Sequence, residues 1–143
     1  FTSISKEVRP EDLVWLLREV LTVCTREIEN TGGVVDQYIG DAIAAYWGAD
    51  GEADHAERAC RSALRSIAAI AALSSELATR SLPNIAIRIG INSGSMVVGN
   101  MGSEQRIRYT IMGDSVNLAA RLEPANRDYG HCILTNLPLT HCS

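Results

Sequence analysis

The chain has 143 residues, 46% hydrophobic and 21% charged, which suits one compact domain and leaves no room for two ordinary ones. Thirteen Lys and Arg against seventeen Asp and Glu give a formal charge of −4, and only 5% of residues are aromatic. That balance excludes both the basic face and the stacking platform of a nucleic-acid binder, and no apolar run reaches the roughly 18 residues of a membrane span.

Pro10 to Asn30 is predicted to be a helix. Leu13, Leu16, Leu17, Val20, Leu21, Cys24 and Ile28 recur at three- and four-residue steps, with Pro10 in the first turn and Gly32-Gly33 at the end. Val34 to Ile39 and Ala42 to Trp47 flank a two-residue Gly40-Asp41 connection and read as a hairpin. Asp54 to Leu77 reads as a second long helix, with Asp54 and Glu57 as a capping box and Ala63, Ile67, Ile70 and Ala71 as a face for a sheet. Ile85 to Ile91 alternates and is expected to be a central strand that turns at Ser93-Gly94 into a strand over Ser95 to Gly99. Gly99 to Arg106 reads as a polar loop, Tyr109 to Met112 as a short strand, Asp114 to Asn126 as a helix and Cys132 to Thr135 as a last strand. This order implies an α+β domain with helices covering a largely antiparallel sheet.

The four cysteines, Cys24, Cys60, Cys132 and Cys142, form no CxxC pair, and His55, His131 and His141 stand at no zinc-finger spacing from them. Reduced thiols in a cytoplasmic domain are the expectation.

Four features bear on chemistry. Asp41 at a hairpin tip is either a turn residue or a hard-oxygen ligand for Mg²⁺. Asn117 and Arg121, four apart on one helix face, are either a solvated face or a grip for an anion and a hydroxyl. The runs Gly90-Ile91-Asn92-Ser93-Gly94 and Gly99-Asn100-Met101-Gly102-Ser103 either turn hairpins or let backbone approach a ligand. Asp114 reads as the N-cap of the helix that carries Asn117.

Together, Phe1-Thr2, the block Gly33 to Ala42, the two glycine runs and the block Tyr109 to Glu123 closely resemble the class III nucleotidyl cyclase catalytic domain, of the bacterial type with Thr at position 110. The resemblance implies a ferredoxin-like core working as a head-to-tail homodimer with two interface sites. It implies conversion of ATP to 3′,5′-cyclic AMP and pyrophosphate, assisted by two Mg²⁺ or Mn²⁺ ions. It makes Asp41 a metal carboxylate, and backbone near Phe1 and Thr2 a contact for the phosphates. It makes Asn117 the ribose-orienting residue, Arg121 the stabiliser of charge on the α-phosphoryl group, and Gln37 and Thr110 the purine readers.

The family's other metal Asp precedes the Phe matched by Phe1, and its late phosphate-binding Lys follows the last strand matched here. A single cyclase domain truncated at both ends, cut from a longer parent and inactive alone, is therefore expected, with membrane attachment of that parent left open by the sequence. The alternatives are a guanylate cyclase and an inactive cyclase-homology module used for dimerisation or regulation. Gln37 both donates and accepts and its amide can flip, so modest discrimination with an ATP preference is the expectation, GTP being the second substrate.

Overall fold

The computed structural model describes residues 4–130 and 133–135. A short 3₁₀ turn at Ile4–Lys6 precedes α1, Pro10–Asn30. Pro10 stands in the first turn of α1, and Leu16, Val20, Cys24 and Ile28 form its buried stripe at steps of four. The helix stops as a Schellman motif: Gly33 N–H donates to Ile28 O at 2.9 Å and Gly32 N–H to Glu29 O at 3.0 Å, with Gly32 at φ +75°.

The hairpin follows as expected. β1 (Val34–Ile39) pairs antiparallel with β2 (Ala42–Tyr46) across Gly40-Asp41, and Gly40 takes φ +61°. The ladder skips one residue between Val35 and Gln37, which leaves Asp36 in a β-bulge.

The second long helix divides. α2 spans His55–Ala72 and α3 spans Ser74–Thr79, with Leu73 between them. At the break the Leu73 N–H donates to Ile70 O at 3.1 Å, a tighter i→i−3 turn, and its carbonyl accepts from Leu77 N–H at 2.9 Å to start α3. Asp54 does not cap α2 with its side chain; it pairs with Arg58 Nε at 3.0 Å instead. Ala63 and Ile70 are buried, but Ala71 is exposed, and α2 packs chiefly on α1, with a smaller contact to the strand at Ile89–Ile91. Leu16, Val20, Cys24, Ile70, Leu77 and Leu82 make the core between these helices, with Ile43, Ile85 and Ile87 packed against it.

The strand over Ile85 to Ile91 is shorter than its pattern suggests. β3 covers only Ile89–Ile91 and pairs in parallel with β6, Ile133–Thr135, while Cys132 lies outside the described residues. β3 does not turn into its neighbour. β4 (Val97–Ser103) pairs antiparallel with β5 (Arg106–Met112) along seven positions, so the expected loop over Gly99 to Arg106 is mostly ladder. α4, Asp114–Tyr129, then packs on β3 and β6. Gly90 permits that approach: a Cβ there would stand 2.5 Å from both Ala119 O and Glu123 N. The whole is an α+β domain, antiparallel in two of its three described pairings. Among the described residues no helix is long and apolar enough to cross a membrane.

Candidate active site

The bulge in β1 decides where two adjacent side chains go. In a regular strand Asp36 and Gln37 would point to opposite faces; here both reach β5. Asp36 Oδ1 accepts the Thr110 hydroxyl at 2.6 Å and the Ile111 N–H at 3.3 Å. Gln37 Oε1 accepts from Arg108 Nη1. The same guanidinium donates through Nη2 to Thr110 Oγ1 at 3.2 Å and lies 3.8 Å from Asp36 Oδ2. Arg108 and Thr110 are two apart on one face of β5, which lets one guanidinium span the network.

The Asp36 side chain is 2% exposed and that of Arg108 51%. A buried carboxylate needs partners for its lone pairs, and the hydroxyl, the amide and the nearby guanidinium provide them. Beside it, burial pushes the Tyr46 phenol above its ordinary range, with Tyr109 and the Asp36 charge adding to the shift.

Asp41 sits in the exposed connection between β1 and β2. It presents a hard oxygen donor on a tight turn, and no group of three or more His, Cys, Asp or Glu that could hold a metal is found among the described residues. That donor set fits a Mg²⁺ ion taking one protein carboxylate here, with the remaining positions left to water and phosphate oxygens.

Asn117 and Arg121 lie one turn apart on the exposed side of α4. Their neighbours Val116, Leu118, Ala119 and Leu122 are half-buried, and the fully buried polar residue of α4 is Asn126. Its Nδ2 donates to Ile89 O at 3.0 Å and to two carbonyls of its own helix. Asp114 is not a side-chain cap: Gly113, at φ +142°, occupies the N-cap position, and its carbonyl accepts from Val116 and Asn117 N–H at 3.1 and 3.3 Å. The second glycine-run reading resolves by strand. Gly99 and Gly102 belong to the β4–β5 ladder, and Asn92 Nδ2 donates to Ser115 O at 2.8 Å, tying the first run to α4.

The structure thus joins Gln37 to Thr110 within one network. No hydrogen bond or ion pair among the described residues links either of them to Asn117 or Arg121. Phe1 and Thr2 lie outside the described residues.

Residues 1–130 match the family model described as the adenylate and guanylate cyclase catalytic domain. The chain belongs to this family. Adenylate cyclase 1 of Rhizobium meliloti (strain 1021) is 39% identical over 137 residues, 95% of this chain and 21% of that protein. The crystal structure of the adenylyl cyclase CyaB from P. aeruginosa superposes with a TM-score of 0.81 at 32% identity, covering 87% of this chain and 65% of that one. The guanylate cyclase domain of RhGC from Catenaria anguillulae, in complex with GTP, gives 0.73 at 31% identity over 86% of this chain and 65% of that one. The chain therefore spans about a fifth of that curated relative. Adenylate and guanylate cyclases both stand among its likenesses.

Within the cyclase domain, Asp36 and Arg108 are the residues that sequence reasoning passed over. Two signals were there to find them. A lone carboxylate in the apolar run Val34 to Ile39 requires a partner if buried, and an Arg two residues before Thr110 shares its strand face.

Proposed function

We propose that this cyclase domain converts ATP to 3′,5′-cyclic AMP and pyrophosphate in sites formed where two copies meet head to tail. The joining of Gln37 and Thr110 by Arg108 supports this reading, because a pair that reads one purine edge has to be presented together. In the reaction the ribose 3′-oxygen bonds to the α-phosphorus, the bond to the departing phosphate oxygen breaks, and pyrophosphate takes the electron pair. The hydroxyl proton passes to solvent.

Asn117 of one copy orients the ribose so that the 3′-oxygen lies in line with the leaving group. Arg121 of the same copy places its guanidinium on the α-phosphoryl oxygens, where charge grows as the bonds exchange. Asp41 of the other copy would hold a divalent ion. Bound Mg²⁺ or Mn²⁺ supplies charge neutralisation to the triphosphate and lowers the pKa of the 3′-hydroxyl.

The test is direct. Full-length protein with Mg²⁺ or Mn²⁺ is expected to make cyclic AMP from ATP with a higher kcat/KM than cyclic GMP from GTP, read by chromatography of the products. A GTP preference overturns the adenylate assignment, and absence of either product overturns the enzyme reading.

A further inference from the structure

The two purine readers have different hydrogen-bonding freedom in the structure from what their residue types allow. A Thr hydroxyl carries one hydrogen and two lone pairs, and a Gln amide carries an acceptor and a donor that exchange places when it flips. Thr110 spends its hydrogen on Asp36 Oδ1 at 2.6 Å, a carboxylate oxygen that also accepts from Ile111 N–H. One of its lone pairs meets Arg108 Nη2 at 3.2 Å. What Thr110 has left is an acceptor. Gln37 turns Oε1 towards Arg108 Nη1, and a flipped amide would set NH₂ against the N–H of a guanidinium that has no acceptor. Gln37 thus keeps both Nε2 donors directed away from Arg108, while its oxygen is turned to the guanidinium with one lone pair engaged there.

Adenine offers the complement of this pair: an amino donor at N6 and an acceptor at N1. Guanine offers the reverse at both positions, an acceptor at O6 and a donor at N1. We propose that Arg108 and Asp36 are positioning residues that fix the polarity of Gln37 and Thr110, so that the site accepts adenine and rejects guanine. The proposal rests on the reading that Gln37 and Thr110 face the purine. It replaces the modest discrimination of a freely flipping amide with a strong one, because guanine would leave donor against donor and acceptor against acceptor.

The experiment measures kcat/KM for ATP, GTP and inosine triphosphate on the full-length protein. Inosine carries the O6 and N1–H of guanine without its 2-amino group, so it reads polarity apart from bulk. Wild type is expected to favour ATP over both by about a hundredfold. Arg108→Met, at a half-exposed side chain, is expected to raise GTP and inosine triphosphate relative to ATP by roughly tenfold. Arg108→Lys still donates to Gln37 Oε1 and is expected to recover most of the ATP preference. Asp36→Asn keeps the side-chain shape and can donate to Thr110 Oγ1, which frees the hydroxyl hydrogen for O6; it is expected to raise both oxopurines as well. Thermal melts check that each variant is folded.

An unchanged ATP-to-GTP ratio in folded Arg108→Met overturns the proposal and leaves the cyclase reading standing. So does a wild type that treats inosine triphosphate like ATP. If Gln37→Ala and Thr110→Ala leave the ratio unchanged, the two do not face the base, and the purine-reading assignment falls together with the proposal. If no cyclic product forms, the enzyme reading fails, and the ratio is taken from calorimetric Kd values for ATP and GTP. An unaltered Kd ratio in Arg108→Met, or no binding of either nucleotide, then overturns the proposal too.

Discussion

Arg121 is exposed on α4 and makes no ion pair among the described residues, so its charge is committed to no carboxylate there. A guanidinium that meets charge mainly in the transition state acts on rate more than on binding. Arg121→Ala in the full-length protein is expected to lower kcat by orders of magnitude with little change in thermal stability; near-normal turnover would remove it from the mechanism. Cys24 is a different kind of residue. Burial pushes its thiol above the ordinary range, a hydrogen bond with Ser66 opposes the shift, and the Glu27 charge adds to it. The folded state therefore holds that proton more tightly than the unfolded chain. The associated stability is fully present below the ordinary thiol pKa of about 8.5 and is lost as pH rises through the higher folded value. Urea melts at rising pH are expected to show wild type losing more stability than Cys24→Ala between about pH 8 and 10. Of the candidate site, the sequence singled out Gln37, Asp41, Thr110, Asn117 and Arg121, which sit in long blocks of distinctive spacing, and the structure joins Gln37 and Thr110 in one network. The sequence hid the supporting pair. Asp36 and Arg108 are distant in sequence, and only the bulge brings them to one place.

Elements were legible where a local rule sufficed. The spacing of α1, the glycines after it and the two-residue turn of the first hairpin each carry their own signal. Pairing of distant strands carries none. Residues 85–88 alternate like a strand because Ile85 and Ile87 pack on the core, yet among the described residues the ladder with β6 lies opposite Ile89–Ile91. In β4 the glycines suggested a loop, although Gly102, at φ +137°, is there because a Cβ would run into Arg106 O of the partner strand. Gly90 gives the sharpest test of packing between elements. Gly90→Ala places a methyl against two backbone atoms of α4, so β3 and α4 must separate, and a loss of about 1–3 kcal/mol in a denaturant melt is expected. Asp114→Ala is expected to cost well under 1 kcal/mol, because no cap bond is lost. A loss above that would restore the capping role expected from sequence.

At the scale of the molecule, the β4–β5 hairpin leaves Val97, Ile107, Tyr109 and Met112 about half or more exposed. Such a surface suits the second copy that the proposed function requires. Ile107→Asp is expected to raise the dissociation constant of a dimer in sedimentation at micromolar concentration, and to lower activity in parallel; an unaltered constant would exclude this hairpin from the interface. The proposed division of the site, with Asp41 on one copy and Asn117 and Arg121 on the other, has a consequence in mass action. If each site takes half its parts from each copy, the number of working sites follows the square of the protein concentration while monomers predominate. A tenfold dilution then lowers the concentration of sites roughly a hundredfold and takes apart about nine in ten of them, and a tenfold local enrichment restores them. A domain divided in this way reports how closely two parent molecules are held, with no separate sensor needed in the domain itself.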